Sequence, residues 1–514
     1  MAAIKSTDYA TLSVEESEAA PASYTTEGRW LVCSEVITVV AARAWEFSVP
    51  LALLGPPGPG ASLRAPAALA LATTLATATL APPTGAWADR SDRRKASRVA
   101  RLAQIGGTAL GVGGVSALVY TGEPNYAALV LVLVGGAVES VASVVSKNAP
   151  KKDWAPALFD GDALVDELSH TTSALATAGQ VAEVIGPLLG ALCVSSLGPR
   201  RGAGAAGILN IASSAPAQAV LDGLYAKCPK LRAPRVVREE VTEDGAWTRW
   251  AAQPSGTALV TLAFCCLWFT ALAPHSAVLT AFLATQHADP ELIAGFRICG
   301  AFFGFVGIVV FSKCSRVAGA GDEAAAGSKS ARRVSSLRMA ALGALVFQLM
   351  CAALAVYALR NGDMLLVFCG AVACSRAGLY AFDVGYVELQ QLLVDERDRG
   401  ACQGVEAALC GAMELGLALT TLVFFSDPAS FVALAELSTL FVALALVCFG
   451  AWLGLYRIFD HVHAGRSEDH AHTAQDLKRL ANDGRHVHVA YAGVKACTRA
   501  SPRASHAHHA VPSA

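Results

Sequence analysis

Apolar stretches of about 20 or more residues recur along this chain, each long enough to cross about 30 Å of hydrocarbon. They fall at roughly 31–54, 66–88, 99–121, 125–147, 172–197 and 203–225. After a polar gap they resume at roughly 254–283, 291–313, 335–359, 363–387, 402–425 and 429–457. At that depth no water satisfies backbone N–H and C=O groups, so each stretch must close its own hydrogen bonds as a helix. The expected fold is therefore an all-α, multi-pass membrane protein with twelve transmembrane helices in two six-helix halves. Composition agrees: 54% of the 514 residues are hydrophobic and only 16% are charged. A formal net charge of -1 argues against a nucleic-acid partner, which calls for a basic excess. The fourteen cysteines form no CxxC pair and read as thiols buried in apolar segments.

The polar gaps orient the bundle. Basic runs occupy the second-to-third connection (ADRSDRRKASR), the fourth-to-fifth (KNAPKKDW), the central loop (KCPKLRAPRVVREE) and the eighth-to-ninth (KSARR). The alternate connections TGEPNY, TQHADPE, RNGD and SDPAS are nearly free of Lys and Arg, with LGPRRG the exception. By the positive-inside rule both termini lie in the cytosol. The expected domains are a disordered cytosolic tail over 1–30, a first half over 31–226, a cytosolic central loop over 227–252, a second half over 253–458 and a His-rich disordered cytosolic tail over 459–514. Two six-helix halves joined by a basic loop describe the major facilitator fold. The acidic start (Asp8, Glu15, Glu16, Glu18, Glu27) fits neither a secretory signal nor a transit peptide. The expected location is the plasma membrane or a vacuolar or other internal membrane, with the protein a monomer.

Several polar residues interrupt the apolar stretches: Arg43 and Glu46, Glu139, Gln180 and Glu183, and Asp383. A charge at mid-bilayer costs about 2.5–3.5 kcal/mol on insertion scales, so such groups pair or line a wet cavity. That pattern points to a path through the membrane and hence to a transporter. Arg43, Glu139, Gln180, Glu183 and Asp383 are candidate cavity or coupling residues; the alternative is an internal hydrogen-bond network that fixes helix packing. Glu46 can accept a divalent cation or simply pair with Arg43 one turn away. Nothing supports an enzyme: the chain has no HExxH, GxSxG or phosphate-cradling glycine loop.

Gly85 to Lys95 (GAWADRSDRRK) is close to the short-loop motif of major facilitators between helices two and three. RAWEFSV (Arg43 to Val49), GAVESVASVVSKNAPKKDW (Gly136 to Trp154), LAPHSAVLTAFLATQ (Leu272 to Gln286) and RAGLYAFDVGYVELQQLLVDERDRGACQGVE (Arg376 to Glu406) follow in order on the matching segments. Together they resemble the ferroportin family, solute carrier family 40, over roughly Trp30 to Leu455, and look more like its plant and algal branch than its animal one.

That resemblance implies an exporter of a divalent metal, Fe(II) first and Co, Mn or Ni besides, that works by alternating access. The metal is cargo, and no resident cofactor is implied. It places a cytosolic gate at Asp89, Arg93, Asp153 and Arg399. It departs from the animal metal site, with Ala42 and Glu46 at the first-helix ligand positions and Ala418 at the position of the family's histidine in helix eleven. The cysteine expected in helix seven is missing, and Glu46, His275, Ser276 and Glu414 become the candidate metal ligands. Pro274 is expected to break helix seven beside His275. The missing ligands keep a second reading open, export of a small organic cation or metal chelate. In the tail, His461, His463, His470, His472, His486 and His488, with His506, His508 and His509 beyond, are candidate weak metal ligands or an accident of composition.

Overall fold

A computed structural model describes residues 25–53, 64–121, 126–159, 165–233, 245–253, 255–274, 276, 278–279, 282–283, 286, 290–320, 329–361, 364–425 and 430–482. The described chain is all-helical. Its first half contains α1 (Thr26–Leu53), α2 (Arg64–Arg90), α3 (Arg93–Thr121), α4 (Tyr126–Ala149), α5 (Val165–Leu197) and α6 (Pro199–Lys227). Beyond the central loop come α7 (Thr257–Cys266), α8 (Pro290–Ala320), α9 (Lys329–Arg360), α10 (Leu365–Leu393), α11 (Arg399–Phe424) and α12 (Phe431–Asn482). Among the described residues nine helices are long and apolar enough to cross a membrane: all of these except α3, α6 and the short α7. α3 opens on the basic run RRKASR, and α6 is diluted by Gly, Ala and Ser. Large apolar side chains such as Leu188, Leu422 and Phe424 lie on the surface, as lipid requires.

Three boundaries differ from the sequence expectation. The central gap holds two short helices, Pro229–Arg232 and Ala246–Ala251. α12 runs on to Asn482, where a disordered tail was expected from 459; past Gly465 the run RSEDHAHTAQDLKRLAN contains neither Gly nor Pro to end it. The chain divides into two compact units, residues 1–452 and Leu453–Ala514. The third difference is α7, which stops at Cys266 rather than at Pro274. Proline lacks an N–H and its ring excludes the carbonyl four residues earlier, so the regular ladder must end upstream of it. Tight i→i+3 bonds close the break, from the N–H groups of Leu267, Trp268 and Phe269. The freed Ala271 N–H donates to Ser438 Oγ on α12 at 3.0 Å.

Two local features position the residues at the end bearing the basic loops. After α4 the segment Pro150–Trp154 (PKKDW) winds as a π-helical turn before the helix resumes through Leu158. The wider turn faces Lys152, Asp153 and Trp154 inward, and all three are buried. Where α2 meets α11, small residues let backbones touch: a Cβ on Gly85 would collide with the Gly400 carbonyl, and one on Gly404 with the Ala81 carbonyl. α2 and α11 thus join the two halves at the end bearing the basic loops, and α5 packs on α8 as a second junction.

Candidate functional site

Arg43 is the hub of a charge cluster built by the first half. Its Nη1 donates to Glu46 Oε2 at 2.7 Å, and its Nη2 meets Glu183 Oε1 on α5 at 2.5 Å. Lys147 Nζ on α4 takes the other oxygen of Glu46 at 2.8 Å. α5 comes this close because Gly186 leaves room for the Arg43 stem. From the second half, Tyr380 on α10 and Glu414 on α11 lie within electrostatic reach of Arg43. The side chains of Arg43, Glu46 and Glu183 are 39%, 37% and 34% exposed, so the cluster is open to its surroundings rather than sealed. Glu46 is therefore already matched by two cations, and a metal ion reaching it would have to displace one of them.

The remaining candidates divide. Glu139 accepts from Trp45 Nε1 at 2.8 Å and from Asn210 Nδ2 at 3.1 Å, and Asn210 also donates to Thr108 Oγ1 at 3.3 Å. That network ties α1, α3, α4 and α6 together, which is the packing alternative. Gln180 Nε2 reaches across to the Ala301 carbonyl on α8 at 3.4 Å. Asp383 is partly buried on α10, within electrostatic reach of Lys152, Lys151 and Glu406. Glu414 is exposed, and Ser276 is half-buried with its N–H on the Ala273 carbonyl at 2.8 Å. His275, His486 and His488 lie outside the described residues, and His461, His463, His470 and His472 are on the helical stretch that ends at Asn482. Among the described residues no three His, Cys, Asp or Glu side chains converge to hold a metal ion.

The four residues expected at a gate do gather at the basic end. Asp89 at the end of α2 accepts the N–H groups of Gly400 and Ala401, at 2.6 and 2.8 Å, and so caps α11 of the other half. Arg93 pairs with Asp153 at 3.3 Å within its own half and with Glu396 of the other. Arg399 Nη2 donates to the Gln391 carbonyl at 3.2 Å. Of these four, Asp89 reaches the other half through main-chain donors and Arg93 through Glu396.

Several further contacts at this end escaped the sequence reading. Lys152 meets Glu406 at 2.6 Å, Thr172 Oγ1 donates to Gln391 Oε1 at 2.9 Å, and Gln391 Nε2 to the Lys151 carbonyl at 2.6 Å. Arg333 on α9 binds Glu388 at 2.6 Å and Ser169 of the first half at 2.5 Å. Arg249, from the central segment, joins Asp398 at 3.4 Å. A signal was present in the run Asp383, Glu388, Gln390 and Gln391, which sets polar groups along one turn after another of α10.

Comparison with known proteins bears on the same region. Residues 27–245 and 232–442 match the family Ferroportin1 (FPN1). The chain is 27% identical over 443 residues to Ferreportin from Bdellovibrio bacteriovorus, covering 82% of this chain and 93% of that protein. It is 26% identical over 457 residues to solute carrier family 40 member 1 from Oryza sativa subsp. japonica, covering 82% and 89%. Among solved structures it is similar to a bacterial homologue of the iron transporter ferroportin in an outward-facing state, with a TM-score of 0.71, 26% identity, and coverage of 84% of this chain and all of that one.

Proposed function

The chain belongs to the Ferroportin1 family, a family of membrane transporters and not of enzymes, and from that premise we propose that it exports a divalent metal cation, Fe(II) first, from the cytosol by alternating access. The observation that carries this reading is the contrast between an open central cluster at Arg43, Glu46 and Glu183 and a basic end closed by Asp89, Arg93 and Lys152. An exposed charge cluster set apart from an end held shut by paired charges is what a carrier presents in one half of its cycle. On this reading twelve spans form two major facilitator halves, the basic end faces the cytosol with both termini, and the protein works as a monomer in the plasma membrane or an internal membrane.

Oxygen donors suit the cargo. Glu46 and Glu414 supply carboxylates from opposite halves, and the Ser276 hydroxyl and His275 complete the proposed ligand set; such donors favour Fe(II), Mn(II) and Co(II) over soft cations. The tail histidines from His461 onward would collect metal on the cytosolic side. Purified protein in liposomes loaded with Fe(II), Co(II) or Mn(II) tests the reading directly. Efflux of at least one of the three is expected, and the absence of all three would end it.

One observation favours a second reading, export of an organic cation or a metal chelate. Because Arg43 and Lys147 already satisfy Glu46, a cargo that needs no direct bond to that carboxylate passes more easily than a bare ion. Flux that survives Glu46→Ala and is inhibited by organic cations would select it.

A further inference from the structure

Glu406 sits six residues beyond Gly400 on α11, about 9 Å further along the helix than the contact made by Asp89. There the ammonium of Lys152 lies 2.6 Å from both Glu406 oxygens. Tyr386 donates its hydroxyl to the same carboxylate at 2.6 Å, and Gln390 Nε2 donates to Tyr386 Oη at 3.1 Å and to Thr261 Oγ1 at 2.9 Å. The Lys152 ammonium also lies 5.1 Å from the Tyr386 ring centroid. Asp383, one turn before Tyr386 on α10, lies within electrostatic reach of Lys152 and its neighbour Lys151 and makes no hydrogen bond to a described residue. All of these partners of Lys152 belong to the second half, and Lys152 itself belongs to the first.

The pair is nearly dry, with side-chain exposures of 8% and 13%. Two charges brought out of water are tolerable only while paired, and removing one leaves the other buried and uncompensated. A rocking motion that opened the basic end would carry Lys152 away on its π turn and strand Glu406 and Asp383 inside the bilayer. We propose that Lys152 is a positioning residue, a latch whose charge is held by Glu406 and Asp383 and which determines how long the cytosolic end stays shut. It forms a second layer beneath the one built by Asp89 and Arg93. The inference rests on the alternating-access reading, but it concerns closure and does not depend on which cargo is carried.

Hydrogen exchange on the full chain in lipid nanodiscs, without cargo, tests it apart from transport. Lys152→Met and Glu406→Gln should each speed amide exchange over 150–159 and 395–405 by about tenfold or more. Lys152→Arg should stay near wild type, and the charge-swapped pair Lys152→Glu with Glu406→Lys should recover most of the protection lost by Lys152→Glu alone. Should Lys152→Met fail to fold, Glu406→Gln carries the same reading with its shape unchanged. Wild-type exchange in a folded Lys152→Met or Glu406→Gln variant, or a swapped pair no better than Lys152→Glu, would overturn the latch.

Discussion

Asp89 holds the amide of Gly400 at 2.6 Å, so a carboxylate at the end of α2 caps the first turn of a helix in the opposite half. The cap satisfies main-chain donors that would otherwise be orphaned at the start of α11, and places a negative charge at the positive end of that helix. Losing a cap costs about 1 kcal/mol, roughly fivefold in an equilibrium. Asp89→Ala should therefore shift the population toward opening at the basic end by about that factor, while Asp89→Asn keeps an acceptor and shifts it less. Exchange rates of the Gly400 and Ala401 amides measure both, and equal rates in wild type and Asp89→Ala would remove the cap from the gate.

The close approach of α2 and α11 has its own consequence. Because a Cβ at Gly85 would meet the Gly400 carbonyl, Gly85→Ala should separate the helices and cost about 1–3 kcal/mol of packing. The expected result is a lower thermal midpoint in detergent together with slower transport. A midpoint and a rate both at wild type would mean that the crossing is looser than described.

At the central cluster, Lys147 and Arg43 compete with any cation for Glu46. Lys147→Met frees one oxygen of that carboxylate, so the apparent KM for the transported metal should fall several-fold. Glu46→Gln strands Lys147, leaves Arg43 with Glu183 alone and should cut flux by about tenfold or more. A KM unchanged in Lys147→Met would place the cargo path away from Glu46.

Glu139 should behave differently although it too is an acid in an apolar helix. Its two oxygens are taken by Trp45 and Asn210, so Glu139→Ala removes bonds that join four helices. The thermal midpoint should drop with KM held constant. A changed KM with an unaltered midpoint would return Glu139 to the transport path.

The helical membrane class and the family were both legible along the chain, because hydropathy is a sum over a local window and short motifs survive in order. The Arg43–Glu46 contact was legible too, since residues three apart share one helix face. Glu183 reads as a polar residue in an apolar stretch, but its partner Arg43 lies on a helix far away in sequence. Likewise Lys152 stood next to a recognised motif residue, Asp153, without any hint that it would meet Glu406.

The linear order of residues dictated which stretches become buried helices and which polar groups must find company there, since both follow from the cost of unsatisfied groups in hydrocarbon. Which group met which was decided only when the helices crossed. The glycine contacts of α2 with α11, the π turn at PKKDW and the early break of α7 choose the facing surfaces. Each depends on shape across hundreds of residues, and an acid satisfied by a distant neighbour has the same local sequence as one left free for a cation.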